Sequence, residues 1–303
     1  MWTKYMKENT QLLPTEQNNP RTKDLDKHSP LQIARTINAE DFNAARAVKK
    51  AGKDISSAII VAAKTHQNGG KIIFIGAGTS GRLGILEAAE CVPTFGTRPS
   101  QIIGLIAGGK KAVFRSQEGA EDDKEQGKKD ICRKASGKDF VIGIAASGRT
   151  PYVMGALQEA TRQGAATALI SCNPKADIRF ANIHICLETG AEVLSGSTRM
   201  KAGTATKMAL NAITTGAMVL CGKTYGNLMI DVRPTNEKLL SRAAGLLCQI
   251  TGITDKKARA LLQKADYNVK TAVLMQQKNI SKNEALKTIK KHRGFLAEAL
   301  HEK

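Results

Sequence analysis

Two identical tripeptides occur in the same setting in this sequence. Ser80-Gly81-Arg82 follows the apolar run Ile72-Ile-Phe-Ile-Gly76, and Ser147-Gly148-Arg149 follows Val141-Ile-Gly-Ile-Ala-Ala. Both runs have the length and residue types of buried strands, and helical patterns follow near 81–91 and 151–163. Hydroxyls and free backbone N–H groups at a helix N-terminus hold anions, and the helix dipole adds to the attraction. Two such turns at strand ends of one sheet converge on its carboxyl edge. Either serine alone reads more simply as a helix cap. The matched pair favours a phosphate gripped from two sides.

Gly76, Gly78 and Gly81 also satisfy the spacing of a dinucleotide fingerprint. That chemistry wants a carboxylate at the end of the second strand to hold the ribose hydroxyls. The second strand ends Ile106-Ala-Gly-Gly-Lys-Lys111, without one. Lys110 and Lys111 suit a ribose phosphate, so an NADP oxidoreductase stays as the weaker alternative. The six cysteines form no Cys-x-x-Cys pair, and the five histidines make no metal spacing. Small buried thiols in a reducing cytoplasm are expected.

The elements that must position these turns follow from hydrophobic pattern. Apolar runs at 71–76, 101–107, 139–145, 166–171 and 183–187 alternate with helical stretches near 81–91, 113–135 and 151–163, and a long helix follows over about 201–222. This predicts an α/β protein: a three-layer α/β/α arrangement with a mainly parallel five-stranded sheet. Residues 1–29 read as a polar arm, Ser29-Pro30 as a helix start, and 40–66 as helix. Beyond 237 there is no strand pattern. Three short helices fit there, beginning near Asp255, at Val269 and at the capping box Ser281-Lys-Asn-Glu284. Leu261, Leu262, Val269, Ala272, Val273 and Met275 would form their core. The expected division is 1–61 (arm and helices), 62–225 (the sheet domain) and 226–303 (a small three-helix domain like ubiquitin-associated domains).

The chain of 303 residues carries a net charge of +19, of which +8 falls in the last 67 residues. With only 4 % aromatic residues for base stacking and no nucleic-acid motif, nucleic acid is not the expected partner. No apolar stretch is long enough for a membrane span, and the N-terminal residues lack the apolar core of a secretory leader. A phosphorylated small molecule remains.

Gly78-Thr79-Ser80-Gly and Ala146-Ser147-Gly-Arg-Thr150 resemble the phosphate-gripping turns of the sugar isomerase (SIS) domain. A wider set of segments is similar to the N-acetylmuramic acid 6-phosphate etherase family, itself related to glucokinase regulatory protein. It includes Gly76 to Cys91, Pro93-Thr-Phe-Gly, Glu118-Gly-Ala-Glu121-Asp, Ile144 to Tyr152, Ser171-Cys-Asn-Pro, Gly196-Ser-Thr-Arg, Gly226-Asn-Leu-Met-Ile-Asp, Thr235-Asn-Glu and Thr15-Glu. The resemblance runs nearly the whole length.

It implies cleavage of a lactyl ether from a muramic acid phosphate, giving N-acetylglucosamine 6-phosphate and D-lactate. Such chemistry asks for two carboxyl groups of separated pKa and for neither metal nor redox cofactor. The resemblance assigns Glu90 as the acid on the leaving lactate and Glu121 as the base at carbon 2. Glu87, three residues before Glu90, is an equal candidate without it. Burial among Leu86, Ala88, Ala89 and Cys91 is expected to keep Glu90 protonated. Ser80, Ser147 and Thr150 are the expected phosphate ligands, with Ser197 on sugar or phosphate and Thr79 and Glu192 as weaker candidates. A homodimer is implied, because SIS sites are commonly completed by a second subunit. A non-catalytic sugar-phosphate sensor is the alternative, disfavoured by the presence of both glutamates and by length for one SIS module.

Overall fold

A computed structural model of the chain describes residues 13–232, 234 and 236–302. The start of the expected arm and Thr235 lie outside the described residues. The five apolar runs form β1 (Ile72–Gly76), β2 (Ile102–Ile106), β3 (Phe140–Ile144), β4 (Ala166–Ser171) and β5 (Ile183–Cys186). They make one sheet in the order β2-β1-β3-β4-β5, parallel throughout. Ile72 lies beside both Ile102 and Phe140, which sets the register of the centre. Every residue of β1 and β3 is buried. A strand covered on both faces has no polar side, which is why these runs are continuous and not alternating.

The sheet is flanked by α1 (Pro30–Lys50), α2 (Gly52–Gln67), α3 (Gly78–Phe95), α4 (Lys110–Phe114), α5 (Lys124–Cys132), α6 (Pro151–Arg162) and α7 (Lys201–Leu220). Ser29 and Gln32 form a reciprocal capping box at the start of α1, with Pro30 in the first turn. The helical pattern over 40–66 is two helices, broken at Ala51 next to Gly52. The stretch 113–135 is also not one helix. Gly119 takes a left-handed φ of +72°, a single 3-10 turn spans Ala120–Asp122, and Asp123 caps α5 by accepting from Gln126 N at 2.8 Å. Acidic residues that bond their own backbone favour turns and caps over helix interiors.

The chain divides into two compact units. The first holds residues up to Ala88 with Ser100–Thr214; the second holds Ala89–Pro99 with Thr215 onward. In the first, Ile73, Ile75, Val141, Tyr152, Val153 and Leu169 form a buried cluster. Tyr152 is wholly buried, and its hydroxyl donates to Asp130 at 2.7 Å, fastening α6 to α5.

The second unit has a short antiparallel hairpin, β6 (Thr224–Tyr225) with β7 (Leu228–Met229). Among the described residues five helices follow: α8 (Glu237–Thr251), α9 (Asp255–Lys264), α10 (Val269–Lys278), α11 (Lys282–Lys291) and α12 (Leu296–His301). The three expected helices are α9 to α11, and the Ser281–Glu284 capping box is formed. Leu262, Val269, Ala272 and Val273 are buried as expected, with Leu261 and Met275 packed against them. Helices α8 and α12 add Leu247, Leu296 and Ala299 to that core. The conspicuous Gly226–Asp231 segment ends in a buried charge cluster. Asp231 takes Lys223 at 2.7 Å and the buried Lys270 at 2.8 Å. Among the described residues no helix is long and apolar enough to cross a membrane. None of the six cysteines forms a disulfide; Cys91, Cys172 and Cys221 are buried, whereas Cys132 is exposed.

Candidate active site

The sheet changes direction of winding between β1 and β3, and a cleft opens there at the carboxyl ends of the strands. That is where ligands sit in open α/β sheets. The cleft encloses about 390 Å³ and is lined by Thr79, Ser80, Ser147 and Thr150, with Glu121 and Arg149 among the other residues. Five of the expected site residues therefore come together.

Each turn has a local reason for its shape. A side chain on Gly81 would put its Cβ 2.7 Å from the carbonyl oxygen of Gly76 and 2.6 Å from Ile106, so the chain can reverse this tightly only without one. Gly148 adopts a φ of +66°, which sends the chain from Ser147 into α6. The second turn is held from behind. Asn173 Nδ2 donates to the carbonyl oxygen of Ser147 at 2.9 Å. Ser171 Oγ lies 2.8 Å from His184 Nε2 and donates to the carbonyl oxygen of Asn173 at 3.1 Å. This accounts for the Ser171-Cys-Asn-Pro segment.

Thr150 occupies the N-cap position of α6, yet its side chain makes no capping hydrogen bond. Ser147 Oγ does act locally, accepting from Arg149 N at 3.2 Å. A hydroxyl at a helix start that caps nothing remains available to an incoming oxyanion.

The carboxylates divide differently from expectation. Glu121 stands exposed in its 3-10 turn and lines the cleft. Glu90 is exposed and does not line it. The apolar face expected to bury Glu90 buries Glu87 instead, which is 6 % exposed. At about 100° per residue, the two differ by roughly 60° around α3. Glu87 shares the stripe of Gly84, Ala88 and Cys91, all buried, whereas Glu90 sits with the exposed Leu86 and Ala89. Glu87 accepts from Asn211 Nδ2 and Thr214 Oγ1, both at 2.5 Å, and so fastens α3 to α7. Glu192 is wholly buried and receives the N–H groups of Lys201 at 3.0 Å and Ala202 at 2.9 Å. Its carboxylate, pushed upward in pKa by burial against these hydrogen bonds, caps α7 and does not line the cleft.

Sequence reasoning missed the arm's part in the site. Leu13, Thr15 and Glu16 line the cleft, as does Thr198. Ser197, the expected residue of that loop, does not. The arm is laid along the loop before α7. Gly196 N donates to the carbonyl oxygen of Thr15 at 3.1 Å, Ser195 Oγ to that of Glu16 at 2.8 Å, and Thr22 Oγ1 to that of Val193 at 2.8 Å. Beneath them, Lys201 is fully buried and reaches Glu40 at 2.6 Å and the carbonyl oxygen of Ala191 at 2.6 Å. Asn19 Nδ2 and Arg21 also donate to Glu40, at 2.9 Å and 2.5 Å. One carboxylate thus ties the arm, α1 and the start of α7 together. Among the described residues no group of three or more His, Cys, Asp or Glu could hold a metal ion.

Residues 54–161 match the model of the glucokinase regulatory protein N-terminal SIS domain, and residues 226–294 match the C-terminal lid domain of glucokinase regulatory protein. Among solved structures, a phosphoheptose isomerase from Francisella tularensis is 14 % identical with a TM-score of 0.47, covering 64 % of this chain and 98 % of that one. An N-acetylmuramic acid 6-phosphate etherase from Lactobacillus johnsonii is 48 % identical over 95 % of this chain and 98 % of its own. One from Clostridium beijerinckii is 47 % identical over 97 % of each chain. At that identity over nearly the full length, the chain belongs to the N-acetylmuramic acid 6-phosphate etherase family.

Proposed function

We propose that this protein is a carbon–oxygen lyase that removes the D-lactyl ether of N-acetylmuramic acid 6-phosphate. It leaves N-acetylglucosamine 6-phosphate and D-lactate, in cytoplasmic recycling of cell-wall amino sugars. The observation that carries this reading is the cleft itself: two hydroxyl-bearing turns facing a free carboxylate, in a chain of this family. Ser80, Ser147 and Thr150 grip the phosphate, helped by backbone N–H groups at the starts of α3 and α6. Thr79 contacts sugar or phosphate.

An unactivated ether is inert near neutral pH. In the open-chain sugar, the aldehyde at carbon 1 acidifies the hydrogen on carbon 2. Glu121 removes that proton, the carbon 3–oxygen bond breaks, and Glu90 protonates the departing lactate oxygen. Water then adds at carbon 3 of the unsaturated aldehyde and carbon 2 regains a proton. No redox change occurs in the sequence of steps. Purified protein is expected to release D-lactate from N-acetylmuramic acid 6-phosphate in step with N-acetylglucosamine 6-phosphate. Absence of lactate above the blank would remove the reading.

Glu90 lies outside the cleft lining of its own chain. We place it in the site of a second copy, in a homodimer with two shared sites. Mixing Glu90→Gln and Glu121→Gln proteins after subunit exchange should then restore about a quarter of wild-type activity, since half the dimers are mixed and each has one intact site. No recovery, or a monomer by light scattering, would place both glutamates in one chain.

A further inference from the structure

A second, smaller recess shares Glu121 with the cleft. Ala77, Gly78 and Glu121 line both cavities. The recess encloses about 120 Å³. That is room for a few water-sized groups, the scale of a three-carbon acid and not of a sugar ring. Its walls carry the methyl groups of Ala77, Ala107, Ala112 and Ala120, and among the described residues Arg82 is the cationic side chain that lines it.

Arg82 is set up as a receptor. It is half-buried, and its Nε donates to the carbonyl oxygen of Val113 at 2.9 Å. That bond fixes the plane of the guanidinium and leaves the two terminal nitrogens. Among the described residues no carboxylate pairs with Arg82, although Glu118 and Glu121 line the same recess. A planar fork held at one edge suits a carboxylate taken by two parallel hydrogen bonds.

We infer that Arg82 holds the carboxylate of the substrate's lactyl group, whose methyl lies against the alanines. The inference rests on the proposed etherase reading. The ether oxygen is on carbon 3, next to the carbon whose proton Glu121 takes, so the lactyl group must lie within a few bonds of Glu121. The phosphate, at the other end of the sugar, occupies the serine turns. Arg149, the cation of the larger cleft, follows Ser147 on the phosphate side. Arg82 is therefore a specificity-determining residue, selecting a free lactyl acid and steadying the anion as it leaves.

The test compares N-acetylmuramic acid 6-phosphate with the same compound carrying a lactyl carboxamide. Charge-assisted hydrogen bonds to a carboxylate predict that wild type prefers the acid by roughly 10- to 100-fold in kcat/KM. Arg82→Gln should lower kcat/KM for the acid by a similar factor, mostly through KM, and change the amide little. Inhibition by N-acetylglucosamine 6-phosphate, which lacks the lactyl group, should be unchanged. Equal wild-type rates on acid and amide would overturn the assignment without any variant. So would equal losses on both substrates, weakened inhibition, or an acid-specific loss in Arg149→Gln in place of Arg82→Gln. Lactate release from neither substrate by wild type would instead overturn the etherase reading and the inference with it.

Discussion

Glu121→Gln should lower kcat for lactate release by roughly 10²–10⁴-fold, the range for losing a positioned general base. KM should stay close to wild type, because the proposed phosphate ligands Ser80, Ser147 and Thr150 line the cleft independently of Glu121. Glutamine keeps the size of glutamate and one acceptor oxygen but cannot take up a proton, so the loss reads on proton transfer. The carbon 2 proton supplies a sharper readout. In deuterium oxide, wild type should yield product carrying deuterium at carbon 2. Glu121→Gln should also fail to exchange that position in unreacted substrate. Glu90→Gln should lose a comparable factor in lactate release yet still exchange carbon 2, because the base is intact and only departure of the lactate is slowed. Exchange at the wild-type rate in Glu121→Gln would mean that another group takes the proton, and Glu16, which also lines the cleft, is the next to test.

The parts of this site that were legible in the sequence are those fixed by short-range pattern. The strands β1 and β3 are unbroken apolar runs because both their faces are covered, and the serine turns follow them at once. Turn chemistry at a strand end needs no knowledge of the rest of the chain. Glu90 and Glu87 show where such reading stops. Both stand in the same apolar stretch, and a residue count alone does not give the rotational phase of the helix against its core. Gly84, Ala88 and Cys91 are the buried positions, and that phase selects Glu87. The arm was harder still. Its residues are polar, so nothing in their hydropathy announces that Thr15, Asn19 and Thr22 are buried. They are buried because hydrogen bonds to residues some 170 positions away satisfy them. Most of the +19 net charge reads as solvated surface, yet Lys201 is fully buried for the same long-range reason.

That buried lysine carries the second large expected effect. Lys201→Met should destabilise the protein by about 3 kcal/mol, the lower end of the cost of leaving one member of a buried ion pair without its partner. The lower end applies because Glu40 keeps Arg21 and Asn19. Arg21 itself is 64 % exposed at its side chain, so Arg21→Ala should cost no more than about 1 kcal/mol. Replacing the buried partners together, Glu40→Leu with Lys201→Met, should recover much of the loss, since no charge is then stranded out of water. Urea midpoints for the three variants separate these cases, and equal midpoints for Lys201→Met and wild type would show that Glu40 does not depend on Lys201. Acid provides an independent check. The hydrogen bond from Arg21, outweighing burial and joined by those from Lys201 and Asn19, holds the Glu40 carboxyl at about 2, against an ordinary 4.5. A carboxylate whose pKa is depressed in the folded state contributes stability that is present above its unfolded pKa and is lost as pH falls through the folded one. Wild type should therefore lose this contribution between about pH 4.5 and 2, and Lys201→Met should lose less there because it has less to lose. The same residue reaches the site through the chain, because Lys201 holds the carbonyl of Ala191 at the base of the loop against which Thr15 and Glu16 are laid. At a temperature where Lys201→Met is still folded, KM for the phosphosugar should rise while carbon 2 exchange at saturating substrate stays near wild type.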